Sequence, residues 1–140
     1  MNTLLSAIVL WLAANFALPA NYEHPNVVLD TEARMTQLRY GADPQPKMPG
    51  VVAVYDDEKC VIMLPNSWTG RTPAELSILV HEMVHHLQNK AGLRYACAGE
   101  REALAYAAQA KWLEQFKSDL EKEFGIDAFT LKIKTTCLLR

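Results

Sequence analysis

Apolar and polar positions change period along the chain, and each change marks an element. In the opening "MNTLLSAIVLWLAANFALPA", Leu5, Ile8, Val9, Leu12 and Phe16 fall at helical spacing, with Pro19 ending the run. "NVVLD" (26–30) reads as a short strand, and "TEARMTQLRY" (31–40) as a helix opened by Asp30 or Thr31. "GADPQPKMPG" (41–50), with three prolines and two glycines, is a loop. "VVAVYD" (51–56) and "CVIMLP" (60–65) flank "DEK" in the pattern of a β-hairpin, giving about three strands of a small sheet.

"TPAE" (72–75) then starts a helix, with Thr72 as N-cap, Pro73 at the first helical position and Glu75 closing a capping box. That helix is expected to run to about Lys90 and stop at Gly92. After the loop "LRYACAG" a single long helix is expected from near Gly99 to Phe124, with Gly125 as its stop. "FTLKIKTTC" (129–137) alternates as a strand or extended tail would. Helices segregated from a hairpin, rather than alternating with single strands, predict an α+β fold: the two central helices packed on a small, hairpin-based antiparallel sheet.

The chain's 140 residues fit one domain, 1–140, able to bury one modest core. A net charge of −2, with no face or run that gathers Lys and Arg, disfavours a nucleic-acid partner. The three cysteines have no C-x-x-C spacing and so no metal pattern. Cys60, in an apolar run, is expected in the core. Cys97 and Cys137 flank the last long helix and its return segment, and a disulfide between them would imply an oxidising compartment. The first twenty residues have a second reading, a secretory signal with "ALPA" at a cleavage site, or a membrane anchor. The chain is thus periplasmic or secreted if that reading and the disulfide hold, and otherwise cytoplasmic.

Candidate chemistry gathers in "LVHEMVHHLQ" (79–88), which holds three of the four histidines. Leu76, Leu79, Val80, Met83, Val84 and Leu87 form the core stripe, and His81 and His85 lie together on the other side. With Glu82 they spell H-E-x-x-H, in which both imidazoles reach one ion while the glutamate sits beside its water. His86 is turned about 100° from His85 and reads as a packing or supporting residue. His24 reads as a surface loop residue.

"LVHEMVHHLQ" resembles the active-site helix of HExxH zinc peptidases. No third histidine follows as in "HExxHxxGxxH", so the resemblance is to the gluzincin type, and in size to compact minigluzincins; it spans the hairpin through the long helix, outside residues 1–50 and 126–140. It implies a third zinc ligand from a glutamate on the next helix. "GEREALAYAAQ" (99–109) offers Glu100 and Glu102, about 200° apart on a helix. Glu102 joins the inward stripe of Tyr106, Gln109, Leu113, Phe116 and Leu120, where a carboxylate is costly unless paired or metal-bound. Ala103 and Ala105 beside it leave room for close helix approach. The expected site is therefore His81, His85 and Glu102 on zinc (Zn2+), with Glu82 as general base for hydrolysis of a peptide or protein substrate. Tyr95 and Tyr106 are alternatives for an oxyanion-stabilising hydroxyl. The competing class is a non-catalytic module, with or without metal, that binds a peptide or partner protein.

Overall fold

Binary patterning sets the elements and local caps set their ends in the computed structural model of the chain, which describes residues 1–41 and 52–137. In chain order they are α1 (Asn2–Phe16), β1 (Asn26–Asp30), α2 (Glu32–Tyr40), β2 (Val54–Asp56), β3 (Val61–Pro65), α3 (Pro73–Lys90), α4 (Ala98–Glu114), α5 (Leu120–Phe124) and α6 (Ala128–Lys134). The architecture is α+β. The loop expected over 41–50 and the start of the first hairpin strand at Val51 lie, apart from Gly41, outside the described residues.

The sheet has the order β1-β3-β2. β2 and β3 form the expected antiparallel hairpin, its turn held by the Asp56 carboxylate, which accepts from the amides of Glu58 (3.0 Å) and Lys59 (3.2 Å). β1 departs from the antiparallel expectation: it pairs parallel to β3, Asn26 opposite Val61 through Asp30 opposite Pro65. A helix and a long connection separate β1 from the hairpin, which leaves room for such a crossover. Cys60 also departs from expectation. It lies in the hairpin turn at φ 54°, half-buried rather than in the core.

The core is one layer of side chains between α1, the sheet and α3. Leu5, Ile8, Val9 and Leu12 of α1 meet Ile62 and Leu64 of β3 and Leu79, Val80, Met83 and Val84 of α3. α4 covers the remaining side of α3 and is its most extensive partner. Ala105 and Ala108, both fully buried, permit that approach; Ala103 is exposed instead. Consequently α3 is buried around its whole circumference from Leu79 to Gln88.

Two expected elements differ in the C-terminal part. The single helix over 99–124 is broken between α4 and α5: the Leu113 carbonyl accepts from Phe116 (2.9 Å) and Ser118 (3.1 Å), and Lys117 takes a left-handed φ of 58°. Asp119 then restarts the helix by accepting from the Lys122 amide at 2.7 Å. Leu113 and Leu120 are both buried on either side of the break, while Phe116 is exposed. The segment expected as strand or tail is α6, opened by Asp127, whose carboxylate accepts from the Thr130 amide at 2.7 Å. Its alternating apolar positions have no buried face to fill, since Phe129 is 72% and Ile133 43% exposed.

Cys97 and Cys137 are joined in a disulfide, Cα–Cα 5.9 Å, which ties the segment three residues beyond α6 to the N-cap of α4. Gly99 makes the close return possible: a Cβ there would lie 2.6 Å from the Thr136 carbonyl oxygen.

Candidate metal centre

The site begins with how α3 is started. Thr72 caps the helix by accepting from the Glu75 amide at 3.1 Å, with Pro73 in the first turn. Glu75 does not return to the Thr72 backbone as a capping box requires. Its carboxylate accepts instead from the amides of Thr69 (3.2 Å) and Arg71 (3.3 Å) and from the Thr69 hydroxyl, which lowers its pKa. The turn entering α3 is thereby fixed. Nine residues on, His81 and His85 stand one helical turn apart with ring centroids 5.0 Å from each other.

α4 brings the third group. The Glu102 carboxylate faces both rings: Oε2 lies 3.4 Å from His81 Nε2, and Oε1 touches His85 Nε2. One donor atom from each of the three residues falls within 4.8 Å of the others, so the set could hold a metal ion. The 3.4 Å separation is about that of neighbouring donors around a tetrahedral ion bound at about 2.1 Å. Glu100 is exposed on the outer side of α4. Glu82 is 7% exposed and, with His81, His85 and Glu102, lines an open cleft of ≈ 190 Å³.

The charge balance agrees with a cation site. Burial opposes ionisation of Glu102, but hydrogen bonds and charge from His81 and His85 outweigh it and hold the carboxyl well below the usual range. Burial likewise opposes a charged His81, and the Glu102 hydrogen bond together with the Glu82 charge carries its pKa above the ordinary value. Two imidazoles and a carboxylate aimed at one point stabilise positive charge there.

The whole chain, residues 1–140, matches the family model described as "Domain of unknown function (DUF6647)". The chain belongs to the DUF6647 family. No curated protein and no solved structure matches it.

Around the three ligand candidates, this DUF6647 chain has supporting residues that sequence spacing had not singled out. Gln109 places Oε1 2.8 Å from His81 Nδ1, and Gln88 places Oε1 2.8 Å from His85 Nδ1. Both are buried amides, and Gln109 was visible only as a second polar member of the Glu102 stripe. His86 is 2% exposed and points away: Nδ1 pairs with the Tyr55 hydroxyl at 2.9 Å and Nε2 with the Glu23 carbonyl at 2.7 Å. Asn89 adds a bond to the same hydroxyl at 2.9 Å, so α3 grips β2 beside the cleft. Burial raises the Tyr55 pKa and lowers that of His86, which keeps both neutral near neutral pH. Arg101, at the cleft rim, pairs with Asp57 of the hairpin turn at 2.8 Å. Of the two tyrosines considered for oxyanion binding, Tyr106 packs edge-on to His81 at 4.5 Å, and neither it nor Tyr95 is among the residues lining the cleft. His24 is half-buried rather than a free surface residue, its Nε2 3.0 Å from the Ser6 hydroxyl.

Proposed function

We propose that the chain is a zinc-dependent peptide hydrolase of the kind that HExxH gluzincins exemplify, with zinc on His81, His85 and Glu102. The observation that carries this reading is the convergence of Glu102 from α4 on the two α3 imidazoles. Three protein ligands with a remaining open position are the arrangement of catalytic rather than structural zinc. When bound, zinc supplies Lewis acidity that polarises a carbonyl and acidifies water. Glu82, in the wall of the same cleft, accepts the proton of the attacking water and returns it to the departing amine.

β2 is an edge strand among the described strands, and its Val54 and Tyr55 border the cleft. An extended peptide added to that edge would run past the ligands, with main-chain hydrogen bonds supplying affinity. The Tyr55–His86–Asn89 grip holds this strand at a fixed distance from α3. The disulfide supports residence in an oxidising compartment. The buried stripe of α1 supports a retained helix, and no helix among the described residues is long and apolar enough to cross a membrane.

The cleft's small volume favours a second reading, a metal-containing module that binds a peptide or partner protein without cutting it. At ≈ 190 Å³ it falls below the roughly 300 Å³ where ordinary ligand pockets begin. A peptide-library cleavage assay on the zinc-loaded protein, with and without chelator, separates the two. The hydrolase reading expects cleavage that chelator and Glu82→Gln each abolish, while Glu82→Gln still takes up about one zinc per chain. Cleavage undiminished in Glu82→Gln contradicts the assigned base, and zinc uptake with no cleavage by the wild type favours the binding module.

A further inference from the structure

A histidine that binds metal through Nε2 must carry its proton on Nδ1, and something has to enforce that choice. Around His81 the enforcement can be traced atom by atom. Ser77, fully buried, donates its one hydroxyl proton to the Ala74 carbonyl at 2.7 Å, so toward Gln109 it can only accept. The Gln109 group 3.2 Å from Ser77 Oγ is therefore the NH2, and the amide oxygen is the atom 2.8 Å from His81 Nδ1. An oxygen there can only accept, which requires a proton on Nδ1; Nε2 faces the Glu102 carboxylate, so Nε2 is the one ring nitrogen at which a cation could take a proton's place.

His85 obeys the same logic through different partners. The Arg101 carbonyl, purely an acceptor, takes a bond from Gln88 Nε2 at 3.1 Å, which turns Gln88 Oε1 onto His85 Nδ1 at 2.8 Å. The next residue is forced the opposite way. His86 Nε2 faces the Glu23 carbonyl and must donate, and its Nδ1 accepts from Tyr55. Adjacent histidines on one helix thus use Nδ1 in opposite ways, the first donating through it and the second accepting, with both nitrogens of the second spent on structure.

We propose that Gln109, braced by Ser77, and Gln88, braced by the Arg101 carbonyl, are positioning residues that hold a proton on Nδ1 of His81 and His85, so that each ring can take a cation only through the Nε2 that faces Glu102. The inference rests on the metal-site reading for the purpose of the arrangement, but the Nδ1 protons themselves follow from the hydrogen-bond directions. Both bridges also tie α3 to α4, joining the helix with the imidazoles to the helix with the carboxylate.

The test is long-range 1H–15N NMR on the full chain without metal, alongside Zn2+ affinity by competition with a chromophoric chelator. Nδ1–H is expected on His81 and His85, whether or not Nε2 also carries a proton toward Glu102, and Nε2–H alone on His86, which serves as an internal reference. Gln109→Leu should free His81 Nδ1 from holding a proton and weaken Zn2+ binding about 10–100-fold, whereas Gln109→Glu, still an acceptor, should keep the Nδ1 proton and hold the affinity within a few-fold. Wild-type His81 or His85 without a proton on Nδ1 overturns the proposal, as does a folded Gln109→Leu with that proton and the affinity unchanged. If Gln109→Leu fails to fold, the wild-type spectrum decides alone. Wild-type rings with the expected Nδ1 protons and no zinc uptake would support this inference while refuting the zinc site.

Discussion

At the scale of single residues, the site depends on which carboxylate faces the imidazoles. Glu102→Ala should weaken zinc binding by more than about 100-fold, beyond the 10–100-fold typical of a supporting partner, and Glu100→Ala should leave it unchanged in the same titration. Proton linkage gives a second expectation. The raised His81 pKa stabilises the metal-free fold below the ordinary histidine value of 6.5, and that contribution is lost as pH rises through the raised one. The depressed Glu102 pKa stabilises it above 4.5, and that is lost as pH falls through the depressed value. Metal-free stability from this pair should therefore peak between those limits, while zinc, which displaces the His81 proton, should extend it to higher pH. Thermal unfolding against pH, with and without chelator, reads both; identical profiles would contradict zinc at this pair. That His81, His85 and Glu102 come together was legible because the HExxH resemblance pointed to a glutamate on the next helix and helical spacing reports which residues share a face. Gln88 and Gln109 were not, because spacing carries no information on which way an amide points or what it meets across a helix interface.

At the scale of elements, the caps were as informative as the apolar pattern. β1, the hairpin and α3 were legible from alternation bounded by turn residues and from the Thr72–Pro73 start. The break after α4 was hidden because Leu113, Phe116 and Leu120 keep helical spacing through it, and the cap at Asp119 was the overlooked sign. The α6 alternation misled for a related reason: period-two patterning indicates a strand only where one face is buried, and Asp127 had already closed a helical turn. Lys117 holds the break in a left-handed conformation that costs a non-glycine residue roughly 1 kcal/mol. Lys117→Gly should therefore raise stability by up to about 1 kcal/mol in urea unfolding with zinc affinity unchanged. A destabilised variant would mean that the lysine side chain, not its backbone, maintains the break.

For the whole molecule, the disulfide links the far end of the chain to the helix that carries Glu102. Cys97 and Cys137 are 40 residues apart, and closing a loop of that size stabilises a fold by about 4 kcal/mol on the chain-entropy account. Cys97→Ser with Cys137→Ser should lower unfolding free energy by that order and loosen the first turn of α4, weakening zinc binding; an unchanged denaturation midpoint would deny the bridge any structural part. The pairing was legible from where the cysteines flank the last helices, although the parallel docking of β1 was not, since register across a long connection leaves no local trace.

The most direct measurement is anomalous diffraction at the zinc edge from crystals of the zinc-loaded protein. One peak is expected, bonded to Nε2 of His81, Nε2 of His85 and a carboxylate oxygen of Glu102. Zinc bound elsewhere, or a protein that stays metal-free in excess zinc, would contradict the account.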